Sequence, residues 1–273
     1  MATNNSSEAT TTASLASPIL TSPCRVGIDL GGTNTKIGLV DAQGRIIRRA
    51  NLLTEPERGP ELTFKRIASL LRPLAERQLL PSIGIGIAGL IEPREGIVRI
   101  SPNLPGWDGT NAKRELERRV GVPVFVANDA NAVALGELHF GAGKGYQDIF
   151  CMTLGTGVGG AVIVGGRLVL GANQAAGEVG HTIVVPSGQV CRCGSQGCLE
   201  CYVGAKHIVE HALKKLRELP RRAQQRSLLH QYLTLSEPSP KAIAKADRRG
   251  DSLARAIIAE AGNYVGLAIL NVV

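Results

Sequence analysis

Two stretches of this chain repeat one pattern, and the repetition restricts the fold more than any other feature. The first runs Val26-Gly27-Ile28-Asp29-Leu30, the turn Gly31-Gly32-Thr33-Asn34, an apolar run from Thr35 to Val40, the turn Asp41-Ala42-Gln43-Gly44, and Arg45-Ile46-Ile47. The second runs Ile149 to Leu154, the turn Gly155-Thr156-Gly157-Val158-Gly159-Gly160, Ala161 to Val164, Gly165-Gly166, and Arg167 to Leu170. Aliphatic and β-branched runs divided by glycine turns read as strands joined in a meander. A three-stranded meander therefore occurs twice, and the fold must accommodate that internal similarity.

The second copy contains Gly155-x-Gly157-x-x-Gly160, the spacing of a dinucleotide fingerprint. Such a loop must open a helix within a βαβ unit, and here β-branched residues follow at once. A tight hairpin whose amides face a phosphate fits the residues better, because glycine lets the main chain approach an anion and successive N–H groups form a concavity for it. For one copy alone, an ordinary hairpin explains the glycines equally well. Two copies, one with Asp29 at its strand end, favour phosphate binding.

Between and after the repeats the chain alternates. Glu61 to Gln78 reads as a helix that Pro73 should kink or end. Ser82 to Ala88 and Val122 to Ala127 read as strands, and Asn111 to Arg119, Ala205 to Glu218, Pro240 to Arg248 and Asp251 to Val272 as helices. Alternation of this kind predicts an α/β architecture. The 273 residues suffice for one large or two ordinary domains, and 44% hydrophobic with 20% charged residues is a globular composition. No apolar run reaches the roughly 18 residues that cross a bilayer, so no membrane segment is expected.

Met1 to Pro23 is rich in Ser, Thr, Ala and Asn and has no Lys or Arg, unlike a secretory or transit peptide, and is expected to be a disordered tail. The net charge of +8 raises nucleic-acid binding. However, the basic residues lie scattered on helical segments (Lys113-Arg114, Arg118-Arg119, Lys214-Lys215, Arg221-Arg222), and only 3% of residues are aromatic, which leaves few platforms for bases. No nucleic-acid partner is expected. Four of the six cysteines fall between Cys191 and Cys201; without an export signal such a cluster points to metal rather than disulfides, and to the cytoplasm.

Six segments in order carry a family resemblance: Asp29 to Thr35; Gly84-Ile85-Gly86-Ile87-Ala88-Gly89 leading to Ser101-Pro102-Asn103-Leu104-Pro105-Gly106-Trp107; Val126-Ala127-Asn128-Asp129-Ala130-Asn131-Ala132; Leu154 to Gly160; Gly177-Glu178-Val179-Gly180-His181; and Cys191-x-Cys193-Gly194-x-x-Gly197-Cys198-Leu199-Glu200. From Val26 onward the chain resembles the ROK family of repressors and sugar kinases, in particular its zinc-containing bacterial-type glucokinases. The resemblance implies an actin/hexokinase-like (ribonuclease H-like) duplicated fold. Two domains, expected over 24–140 and 141–273, would flank a cleft. It implies a kinase that uses ATP and Mg²⁺ on a hexose, glucose foremost, with fructose, N-acetylglucosamine and N-acetylmannosamine as alternatives. A homodimer is also implied.

Residue by residue, the resemblance makes Asp129 the base that takes the proton of the sugar 6-hydroxyl; a helix cap is the bland reading of the same residue. Asn103, Asn128, Glu178, His181 and Glu200 join Asp129 around the sugar. From sequence alone Asn103 would pass for a turn residue and Glu200 for a solvated charge. Asp29 is suited to holding Mg²⁺ through water. Gly31, Gly32, Thr33 and Lys36 from one repeat and Gly155, Thr156 and Gly157 from the other are assigned to ATP. Cys191, Cys193 and Cys198, spaced by glycines, suit a tetrahedral structural Zn²⁺. The resemblance implies His181 as fourth ligand, and the spacing Cys198-x-x-Cys201 offers Cys201 as its rival. Family members continue past the last helix here, so a C-terminal part is expected to be missing, with weakened ATP binding as the consequence. The rival function is a sugar-responsive repressor. It needs a DNA-reading module before the kinase-like part, and the short polar stretch before Val26 is too small for one.

Overall fold

The computed structural model describes residues 23–234 and 238–272. The tail expected over 1–23 lies outside them apart from its last residue. The described residues group into two compact units. One runs through Ile149 and adds Ile163–Ala176; the other comprises Phe150–Val162 and the chain from Gly177. The chain thus first enters the second unit at Phe150, returns to the first for Ile163–Ala176, and stays in the second from Gly177.

In the first unit the meander forms as expected, as β1 (Arg25–Leu30), β2 (Asn34–Val40) and β3 (Ile46–Leu53), the last longer than the three residues read as a strand. After α1 (Pro60–Glu76) come β4 (Ile83–Ile87), a hairpin of β5 (Leu90–Glu92) and β6 (Ile97–Ile100), α2 (Ala112–Val120), β7 (Val124–Asn128) and α3 (Asp129–Phe140). The sheet order is β3-β2-β1-β4-β7. β1, β4 and β7 are parallel, and β2 and β3 antiparallel to their neighbours. Parallel neighbours require a crossover of a dozen or more residues, which α1 and α2 supply.

Alternation decides which face is covered. Val26, Ile28, Leu30, Ile37, Leu39, Ile83, Ile85, Ile87, Val124 and Val126 are buried in one cluster with Phe64, Ile67, Leu71 and Leu74 of α1 and Leu116 and Val120 of α2. Each such side chain contributes about 1.5–3 kcal/mol on burial. Pro73 does not end α1; it sits in the final turn, and the helix closes three residues later. The opposite face is nearly bare at one level. Gly38, Gly27, Gly84 and Phe125 are partners in register across four strands, and Phe125 is exposed. A cavity of about 470 Å³ lies there, lined among others by Gly27, Gly84, Phe125, Asn131 and Leu170.

The second meander consists of β8 (Ile149–Leu154), β9 (Val158–Val164) and β10 (Arg167–Val169), paired in the order β10-β9-β8. A short α4 (Glu200–Val203) leads into α5 (Ala205–Glu218), α6 (Arg221–Arg226), α7 (Leu228–Thr234), α8 (Pro240–Arg248) and α9 (Ser252–Leu270). Val209, Ala212, Leu216, Leu229, Leu233, Ile243, Ala246, Ala254 and Ile257 make a core shared by α5, α7, α8 and α9. Buried Asp251 joins two helix starts: Oδ1 accepts from Ala254 N at 2.9 Å, and Oδ2 accepts from Leu229 N at 3.0 Å and Ser227 Oγ at 2.7 Å.

The expectation that no segment is long and apolar enough to cross a bilayer needs one correction. α9 has 19 residues and a mean hydropathy of 1.4, and only 17% of that stretch is buried. It passes by length and composition because alanines and glycines dilute its two charges. It also packs on α4, α5 and α8, and its Glu260 meets His211 Nε2 at 3.0 Å.

Candidate functional site

The parallel strands β1, β4 and β7 end on one edge, where ligands of open α/β sheets bind. β1 ends in Asp29-Leu30, and β7 runs into Asn128-Asp129. Between them, Gly86 is the register partner of Asp29 and of Ala127. A Cβ on Gly86 would stand 3.3 Å from both Asp129 Cα and Ala132 Cβ, so α3 starts directly against the sheet. Asn128, not Asp129, caps α3: its Oδ1 accepts from Asn131 N at 3.0 Å, and its Nδ2 donates to Gly89 O at 3.0 Å. That leaves Asp129 as the first helical residue, half-buried, with Oδ1 accepting from Ala130 N at 2.9 Å.

Asp129 lies above the ordinary carboxylate range. Burial is the main cause; the Ala130 amide opposes it, and the negative charge of Asp29 adds to it. A half-buried carboxylate with raised proton affinity at a strand end is what a general base requires. Asp29 pairs with Lys36 at 3.0 Å, both exposed. An exposed pair of this kind is worth about 0–1 kcal/mol, so a phosphate or cation can exchange with either partner.

The first glycine turn is tightly braced. Gly31 N donates to Asn34 O at 3.1 Å and Thr54 N to Thr33 O at 3.0 Å. Thr54 Oγ1 lies 2.7 Å from Gly31 O and 3.0 Å from Thr35 Oγ1, and Thr63 Oγ1 donates to Thr54 O at 3.0 Å. Thr35, Thr54 and Thr63 are buried. None of the three was singled out in the sequence. Gly32 touches the Asn103 loop, since a Cβ there would lie 2.6 Å from Asn103 O. That loop is anchored by fully buried Leu104 and Trp107. The structure therefore brings together Gly31, Gly32, Thr33 and Asn103, and likewise Asp29, Lys36, Asn128 and Asp129.

The second unit holds the remaining residues. Gly155 N donates to Gly157 O at 2.9 Å, and Ala205 N at the start of α5 donates to Gly155 O at 3.0 Å. Glu200 is not a solvated charge: it is half-buried, and its Oε2 accepts from Val158 N at 2.9 Å. Glu178 precedes a single 3₁₀ turn, Val179–His181. This turn lies against β9, where a Cβ on Gly180 would overlap Val158 O and one on Gly160 would lie 2.6 Å from Val179.

His181 then meets the cysteines. One ligand atom each from His181, Cys191, Cys193 and Cys198 lies within 4.8 Å of all the others. Cys191 Sγ is 3.6 Å from His181 Nδ1, and Cys193 Sγ is 3.6 Å from Cys198 Sγ. These are edge lengths of a tetrahedron around an ion about 2.0–2.3 Å from each ligand, so the donor set fits zinc. Cys201 lies outside that group of four but beside it, with its Sγ against both Cys191 and Val190 O, the latter at 3.9 Å. The Cys193 thiol is lowered to about 7, first by the Ser195 amide and then by Cys191 and Cys198, whereas burial and the neighbouring thiols raise Cys198 to about 12. A divalent ion held by these sulfurs would favour their thiolate forms.

Residues 25–273 match the ROK family. The chain is 38% identical over 240 residues to a glucokinase of Thermotoga maritima, covering 85% of this chain and 76% of that one. It is similar in structure to a ROK family glucokinase from Streptomyces griseus in complex with glucose and AMPPNP, with a TM-score of 0.77, 36% identity, and coverage of 91% of this chain and 78% of the other. It is also 32% identical over 254 residues to a xylose repressor of Caldicellulosiruptor bescii, covering 91% of this chain but 62% of the repressor.

Proposed function

Because the chain belongs to the ROK family and is an ATP-dependent hexose kinase of actin/hexokinase-like fold, we propose that it transfers the γ-phosphoryl group of ATP to the 6-hydroxyl of glucose. The observation that carries this reading is Asp129, a half-buried carboxylate of raised proton affinity at the end of β7. In the reaction the 6-hydroxyl oxygen attacks the γ-phosphorus while the bond to the β–γ bridging oxygen breaks. ADP departs with that electron pair, and the hydroxyl proton passes to Asp129. Phosphoryl transfer needs little covalent help, so positioning and charge neutralisation supply most of the rate.

The glycine amides of both turns are assigned to that neutralisation, with Thr33, Lys36 and Thr156. Asp29 would hold Mg²⁺ through water, and a bound Mg²⁺ offsets the charge of the phosphates. Asn103, Asn128, Glu178, His181 and Glu200 are assigned to the sugar hydroxyls. His181, Cys191, Cys193 and Cys198 would hold zinc with a filled shell, which supplies rigidity to the segment between Glu178 and Glu200. We further place the protein in the cytoplasm as a homodimer.

A panel of hexoses in an ADP-release assay tests the assignment. Glucose is expected to give the highest kcat/KM, and preference for fructose or an N-acetyl amino sugar would move the assignment to that sugar. A DNA-binding titration run beside it separates kinase from repressor: sugar-dependent binding to duplex DNA without turnover would establish the latter.

A further inference from the structure

The second glycine turn is held at both ends by the segment that carries Glu200. At one end Val158 N, immediately after Gly157, donates to Glu200 Oε2 at 2.9 Å. At the other, Gly155 O accepts from Ala205 N at 3.0 Å. The two anchors are joined by α4, whose closing Gly204 N donates to Glu200 O at 2.9 Å. The fit is close: a Cβ on Gly157 would overlap Glu200 Oε2, and one on Gly204 would lie 3.4 Å from Thr156 O. A carboxylate offers about four lone-pair sites, and Oε1 makes no protein hydrogen bond among the described residues.

We infer that Glu200 is a positioning residue that couples the sugar to the second glycine turn, so that sugar and nucleotide bind cooperatively. This rests on the glucose and ATP reading above. A sugar hydroxyl on Oε1 orders the carboxylate, and Oε2 passes that order to the Val158 amide and hence to the turn assigned to phosphate. Sequence distance does not prevent this, as the two residues are 42 apart in the chain but share one hydrogen bond. Coupling between two ligands is reciprocal: whatever factor glucose applies to nucleotide affinity, nucleotide applies to glucose.

The test is calorimetric titration of the full chain with AMPPNP, with and without saturating glucose. Wild type is expected to bind the nucleotide at least about fivefold tighter with glucose, the lower end of ordinary coupling factors. Glu200→Ala should bring the ratio to one. Glu200→Gln, whose amide oxygen can still accept from Val158 N, should restore part of it. Gly157→Ala, which displaces Oε2 but keeps the carboxylate, should lose the ratio while still binding glucose. A merely structural role would lower the melting temperature of Glu200→Ala and leave its binding ratio at the wild-type value; that result overturns the inference, as does a ratio of one in wild type or in Glu200→Gln. Normal glucose turnover by the wild type alongside any of these results leaves the functional reading standing. No turnover on any hexose and no heat on adding sugar would instead sink that reading.

Discussion

In Asp129→Asn the side chain keeps its shape and loses its ability to take a proton. A positioned general base contributes about 10²–10⁴-fold to rate, or about 2.7–5.5 kcal/mol at 1.36 kcal/mol per decade. Burial and the Asp29 charge make Asp129 a stronger base than a solvated carboxylate, which puts the expected loss in the upper half of that range. Stability should move the other way. A carboxyl whose folded pKa is raised favours the fold below its unfolded value of about 3.9, and that contribution is lost as pH rises through the folded pKa. At neutral pH the ionised Asp129 therefore opposes folding, and asparagine removes the opposition while still accepting from Ala130 N. The measurements are kcat for ADP release at saturating glucose and ATP, and melting temperature at pH 7. A fall in kcat with an equal or higher melting temperature is expected. Turnover within about threefold of wild type, or a variant that melts several degrees lower, would show that Asp129 serves the helix rather than the reaction.

Four further outcomes follow from the same geometry. The acid limb of kcat/KM should lie above the ordinary carboxylate range. In Asp29→Asn the titration of Asp129, followed by carbon NMR, should shift to lower pH because one source of its elevation is gone. Thr54→Val removes the hydroxyl shared by Gly31 O and Thr35 Oγ1; leaving that buried network unpaired should cost about 1–3 kcal/mol in denaturant unfolding, with a larger rise in the KM for ATP than for sugar. Atomic absorption should find zinc in wild type and in Cys201→Ser but not in Cys198→Ser, and zinc affinity should weaken as pH falls because protons compete for the thiolates.

Much of this was legible in the sequence wherever a local signal sufficed. α5 and α8 begin and end where the apolar spacing puts them, and the glycine-split runs are strands. α6 escaped notice because Arg-Arg-Ala-Gln-Gln-Arg has no apolar face, and its helix buries none of its residues. Asn128 and Asp129 are both good caps by residue type, and only the folded geometry decides that Asn128 opens α3. The brace under the first turn was illegible for a different reason: Thr35 and Thr54 stand 19 residues apart and meet through sheet pairing, so nothing local marks either as more than a strand threonine. Glu200 passes for a solvated charge in the sequence for the same cause, since its partner Val158 lies 42 residues away. The metal ligands lay between these cases, with the cysteine spacing visible and the histidine supplied by family resemblance.

Gly86 has an implication for how such a site tolerates change. The gap between the residue assigned to the cation and the residue assigned to the proton is spanned by main chain alone, one bare position wide. Its width is therefore a property of strand pairing, which a substitution in the apolar interior cannot readily alter. Interior variants of this protein should accordingly lose lifetime before they lose chemistry, whereas a single side chain added at residue 86 would do the reverse.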